Sequence, residues 1–138
     1  MCLICEPNAK IRRMIFGCTF YKVLMEKTDG EFRAPFHTSF VYEIGDSYRM
    51  KGLEIICHHV NQGFHGYIAV EDAFKECKRL NEGVGLLINY DWNYVKLKQF
   101  VVVECRIPFF SRFIEGKDES GGYKTVVSDR IKIVSVIS

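Results

Sequence analysis

The chain reads as an α+β protein: a curved, mainly antiparallel sheet of about six strands with one principal helix packed on it. Three observations lead there. Short apolar runs rich in β-branched and aromatic residues recur between breaks bearing Gly, Asp and Pro. Only one stretch, Val70 to Leu80, combines helical spacing with acid at its start and base further on. Aromatic residues, mostly Phe and Tyr, form 14% of the chain, which favours strands.

Residues 1–17 read as a lead segment and 18–138 as a single domain, one domain being ordinary for this length. In the lead, Lys10, Arg12 and Arg13 read as a solvated basic face. Phe20 to Met25 is a strand, broken by Thr28-Asp29-Gly30-Glu31, whose Asp-Gly suits a tight hairpin turn. Ser39 to Ile44 and Leu53 to Cys57 are further strands, and a short one follows at Gly66 to Ala69. In the helix Val70 to Leu80, Ala73, Phe74, Cys77 and Leu80 make one apolar face, and Asn81 and Gly83 terminate it. Phe100 to Ile107 is a strand with Val101, Val103, Cys105 and Ile107 on one face and Val102, Glu104 and Arg106 on the other. Glu115 to Gly122, charged and Gly-rich, reads as a loop. Thr125 to Ile137 holds one or two closing strands separated by Ser128-Asp129.

Composition sets outer limits. Hydrophobic content of 48% with 26% charged residues suits a soluble globular protein. A net charge of +2 gives no electrostatic ground for nucleic acid or a membrane as partner. No uncharged apolar stretch approaches the ~20 residues that cross a bilayer. Met1 to Asn8 lacks the basic leader and apolar run of an export signal, so the six cysteines read as thiols in a reducing cytoplasm.

Chemistry concentrates between Cys57 and Ile68, which hold three of the four histidines. His65 sits between Gly63-Phe64 and Gly66, and glycines permit close approach of a ligand. Phe64, His65 and Tyr67 are therefore candidate ligand-binding residues, and so are Tyr90, Trp92 and Tyr94, whose segment reads as a second hairpin or as an aromatic flap over a cleft. The structural alternatives are a His65 that hydrogen-bonds a turn, a Trp92 that anchors a packed loop, and a Glu104–Arg106 surface pair. Cys2 and Cys5 form a C-x-x-C, but zinc requires four convergent ligands, and Cys57 with His58 or His59 is the one dense second pair. No metal is expected; a site, if built, would use Cys2, Cys5, Cys57 and His58.

The pattern from Phe40 to Ile137 resembles an uncharacterised family of small phage and prophage proteins. It is carried by Tyr42-Glu43-Ile44-Gly45-Asp46-Ser47-Tyr48, then Cys57, then Gly63-Phe64-His65. Where members often carry a Cys two residues after that His, this chain has Tyr67, which weakens any inherited metal or thiol role. A looser likeness is to the ADP-ribosyltransferases, on the Gly-aromatic-x-x-Tyr leading into a helix and on a late strand bearing Glu104. That likeness implies NAD as cofactor, Tyr21, Tyr67 and Glu104 at the corresponding positions, and Tyr21, His65 and Glu104 as catalytic residues. The leading expectation is a non-enzymatic, cofactor-free phage module binding a small polar molecule or a host protein. The alternative is an ADP-ribosyltransferase-like enzyme, which needs Glu104 in a cleft facing His65.

Overall fold

A computed structural model of the chain describes residues 3–5, 9–35, 40–56, 59–87, 97–118 and 122–137. These residues form thirteen strands in one antiparallel sheet and a single helix, not the six-stranded sheet with a principal helix that the sequence predicts. Small strands account for much of the difference. The first two are β1 (Leu3–Ile4) and β2 (Arg12–Arg13), and β3 (Cys18–Lys27) is the first long one. The short β4 (Phe32–Arg33), β5 (Val41–Tyr42), β6 (Ser47–Arg49) and β7 (Glu54–Ile56) follow, then β8 (His59–Gln62) and β9 (Phe64–Tyr67). The helix α1 is Val70–Leu87, and β10 (Leu97–Ile107), β11 (Arg112–Asp118), β12 (Lys124–Ser128) and β13 (Arg130–Val136) complete the sheet. Strands of two or three residues are too short to register as alternation. Partner strands decide them rather than their own composition. The same effect makes a strand of Glu115 to Asp118, read as loop: β11 lies between β12 and β1.

Across the sheet the order is β6-β13-β10-β3-β9-β12-β11-β1-β8-β7. β2 adds to β11, while β4 and β5 fold back from β3. The turn at Thr28 to Glu31 closes the β3–β4 hairpin as expected, with the Lys27 N–H donating to the Glu31 carbonyl at 2.8 Å. The segment read as a lead thus contributes two strands, and Leu3 is wholly buried between β8 and β11.

The long pair β3–β10 is buried on both faces, which is why Phe100 to Val103 reads as a continuous apolar run. One face, with Phe20, Leu24, Val101, Val103, Cys105 and Ile107, joins Tyr42, Phe64, Val126, Ile131 and Ile133. The opposite face, with Val23, Met25, Phe100 and Val102, is covered by Ala73, Cys77 and Leu80 of α1. The alternation expected for β10 is the one observed. Phe74 is the exception on the helix: it is 39% exposed and outside both clusters. It lies about 100° round the helix from Ala73, off the stripe centred on Ala73, Cys77 and Leu80.

α1 also runs past Asn81 and Gly83. Asn81 does not cap the helix but reaches the sheet: its Oδ1 accepts the Phe100 N–H at 2.8 Å and its Nδ2 donates to the Phe100 carbonyl at 3.1 Å. The Cys77 thiol donates to the same carbonyl at 3.3 Å. A side chain committed to the backbone of β10 is not free to stop its own helix. No helix among the described residues is long and apolar enough to cross a membrane, which leaves the question of membrane-spanning strands untouched.

Two substitutions separate the observed packing from the sequence reading. Leu80→Ala should cost on the order of 3 kcal/mol, the usual range for a buried leucine. Phe74→Ala, at a partly exposed position, should cost under about 1 kcal/mol. Denaturant unfolding of both variants checks this, and a reversed order would place Phe74 rather than Leu80 in the core.

Candidate functional site

The residues singled out around His65 belong mainly to the scaffold. Phe64 is 1% and Tyr67 3% exposed, each within a hydrophobic cluster. The two flanking glycines make room for the protein's own atoms. A Cβ at Gly66 would stand 2.1 Å from the Phe20 ring and 2.8 Å from the Tyr21 carbonyl. Gly63 has φ +139°, where a side chain is strained, and a Cβ there would meet Val127 at 2.3 Å and Leu53 at 2.7 Å. The close approach that glycine permits is therefore strand on strand, not protein on ligand.

Tyr21, Tyr67 and Glu104 do stand together. The register pairs Glu104 with Tyr21 and Tyr21 with Tyr67, so they form a row across β10, β3 and β9 on one face. His65 lies on that face two residues from Tyr67, opposite Val127. Glu104 is consequently separated from β9 by the intervening Tyr21 strand, roughly 10 Å away. Tyr90, Trp92, Tyr94, Cys2, Cys57 and His58 lie outside the described residues. Cys5 is buried, and no group of three or more His, Cys, Asp or Glu placed to hold a metal occurs among the described residues.

His65 itself is part-buried. Nδ1 lies 3.2 Å from the Gly63 carbonyl, and Nε2 is buried without a hydrogen-bond partner among the described residues. Burial first, and then the Lys22 ammonium, lower its pKa to about 4, against the pull of the Gly63 and Val60 carbonyls. The ring is neutral at pH 7, so Nδ1–H donates to Gly63.

Lys22, which carries no sequence signal beyond a lysine between two apolar residues, is the unexpected group. It sits between Phe20 and Leu24 on the enclosed face of β3 and is 8% exposed. Its Nζ donates to the His65 carbonyl and lies 5.7 Å from the centroid of the Tyr42 ring. Burial lowers its pKa to about 8, with a small opposing pull from Cys105. Burial likewise pushes the Cys105 thiol up to about 12.

The open cleft lies elsewhere. It has a volume of about 600 Å³ and is lined by Ala9, Ile68, Ile114 and Gly116, with Lys10, Arg12, Glu115, Lys117 and Lys124. Four cations thus face one carboxylate, and that carboxylate is already taken: Glu115 is 3.7 Å from Arg12. Lys10, Lys117 and Lys124 make no ion pair among the described residues. Lys117 and Lys124 are direct cross-strand neighbours, a placement that repels in the absence of an anion. Sequence reasoning took Lys10 and Arg12 for a solvated face and Lys117 for part of a loop. The signal that could have found the cleft was a β11–β12 hairpin register bringing the two lysines opposite each other. Compared with family models, curated proteins and solved structures, the chain gives no match.

Both buried groups predict pH dependence. His65 has its pKa depressed from the ordinary 6.5. Its neutral state favours folding above pH 6.5, and that contribution is lost as pH falls toward 4, by about 3 kcal/mol. His65→Gln should flatten this part of the stability–pH curve. Lys22 is depressed from 10.5 to about 8, so its burial costs most below pH 8, and stability recovers as pH rises from 8 to 10.5. Lys22→Met should remove that rise and stabilise the fold at pH 7 by about 1 kcal/mol. Chemical unfolding across the two windows checks both. A destabilised Lys22→Met protein would show that the bond to His65 outweighs the desolvation cost.

Proposed function

We propose that the protein is a binding module for a small anionic ligand bearing phosphate or carboxylate groups, held in the cleft along β11 and β12. The observation that supports this most directly is the opposed pair Lys117 and Lys124, flanked by Lys10 and Arg12 with a single engaged carboxylate. Ile68 and Ala9 add apolar surface against which a base or alkyl portion can rest. On this reading the protein belongs to a phage or other mobile element and works in the bacterial cytoplasm, as its resemblance implies. Its ligand site is the cleft rather than His65.

The ADP-ribosyltransferase-like reading retains one observation, the row Glu104–Tyr21–Tyr67. It is the weaker of the two because Tyr67 is enclosed and neither Glu104 nor His65 lines the cleft. The readings part at Glu104. Glu104→Gln abolishes NAD turnover if the chain is an enzyme and leaves anion binding unchanged if it is a binding module.

Titration calorimetry with ADP, NAD, inorganic phosphate and uncharged adenosine tests the proposal. The anions should bind and adenosine should not. The double variant Lys117→Glu/Lys124→Glu should lose at least tenfold in affinity, about 1.4 kcal/mol, while melting near wild type. Equal binding of adenosine and ADP, or an unaffected double variant, would sink the idea.

A further inference from the structure

The loop between β2 and β3 (14–17) and the loop between β10 and β11 (108–111) form one platform at an end of the sheet. The Phe110 N–H donates to the Met14 carbonyl at 2.7 Å, and the Met14 N–H donates to the Ser111 carbonyl at 2.8 Å. On it stand four large apolar side chains turned to solvent. Ile15 is 69%, Phe16 81%, Phe109 60% and Phe110 54% exposed. A folded protein rarely leaves such a cluster bare without a use for it.

The backbone is bent to present it. Phe110 is the one non-glycine residue of positive φ among the described residues, at 69°, a conformation that costs free energy for a bulky residue. Its ring stands 5.0 Å from that of Phe109 instead of folding into the core. The Ser111 hydroxyl donates to the Pro108 carbonyl at 2.7 Å and holds the turn.

The charge around this tip is mainly cationic, the carboxylates beside it being Glu115, 3.7 Å from Arg12, and the buried Asp129, whose Oδ1 accepts the Arg112 N–H. Arg12, Arg13, Arg106 and Arg112 flank the two loops, and no Asp or Glu occurs between residues 11 and 25 or between 105 and 114. Arg13 lies 5.4 Å from the centroid of Phe110 and donates to its carbonyl at 3.0 Å. The alkyl part of Arg106 runs beside Gly17, and Arg112 is exposed.

We propose that this end of the protein docks on an anionic lipid surface, with Ile15, Phe16, Phe109 and Phe110 entering the interfacial layer and the arginines meeting lipid phosphates. Convex apolar turns with a cationic collar suit a fluid, negatively charged interface. There the aromatic tips leave water, and each arginine finds phosphate oxygens. The small net charge of the whole chain hides this, because four of its eight arginines flank these two loops. The tip shares Arg12 with the cleft, but the inference rests on the apolar loops and is read by a different measurement.

Co-sedimentation with vesicles provides the test, using phosphatidylcholine alone and phosphatidylcholine carrying about 30% phosphatidylserine. Binding should occur to the anionic vesicles, weaken as salt is raised, and be far weaker on phosphatidylcholine alone. Phe16→Ser/Phe109→Ser and, separately, Arg106→Glu/Arg112→Glu should each lower vesicle affinity at least tenfold, with unfolding curves close to wild type. Phe16→Ser alone, at the most exposed position, serves if either double variant folds poorly. Absence of vesicle binding, or binding unchanged by the Phe16 variants, overturns the proposal. So does self-association that Phe16→Ser abolishes, which would assign the tip to a second copy of this chain.

Discussion

Two halves of the sheet meet at one residue pair, Tyr21 with Tyr67, and everything else is arranged around that narrow join. On one side β3 carries β10, β13 and β6; on the other β9 carries β12, β11, β1, β8 and β7. Strands joined so briefly need other means to stay in place. Phe20 fills the space where a side chain at 66 would stand, and Lys22 reaches from β3 to the His65 carbonyl. One contact is steric and the other polar, and both act within a residue or two of the join. A buried ammonium is a costly way to link two strands, and such groups are best attested as devices that select one arrangement over its neighbours.

β11 then serves both ends of the molecule. Its first residues pair with β2 and emerge from the loop bearing Phe109 and Phe110, while its last residues pair with β1 and line the cleft. A strand buried at Phe113 and Ile114 provides a rigid spacer between the two surfaces. Loops and clefts carried on such an element keep their geometry without much packing of their own.

The long elements were legible in the sequence. The alternation of Val101 to Ile107, the Asp29-Gly30 turn and the amphipathic start of α1 each follow from local chemistry. The small strands were not, because a pair such as Arg12–Arg13 is a strand only by virtue of Arg112 and Phe113 beside it. Gly63 and Gly66 were rightly marked as positions of close approach, but composition cannot tell whether a ligand or Phe20 fills the space. Phe74 misled because helical spacing defines a stripe only to within about one residue, and Asn81 misled because its partner lies on a distant strand. The cleft was hidden for a related reason: Lys117 and Lys124 become neighbours only through the hairpin.

The placement of β1 governs how the chain can reach this state. Leu3 and Ile4 lie between His59–Val60 on one side and Lys117–Asp118 on the other, so the earliest described residues complete their pairing only with some of the latest. Contacts of such large sequence separation raise the entropic barrier to the native topology and slow folding, typically to milliseconds or longer. During synthesis the apolar Leu3 must wait, unpaired on the β11 side, until β11 has left the ribosome. The interval before that strand arrives is when the chain is most exposed to misassociation.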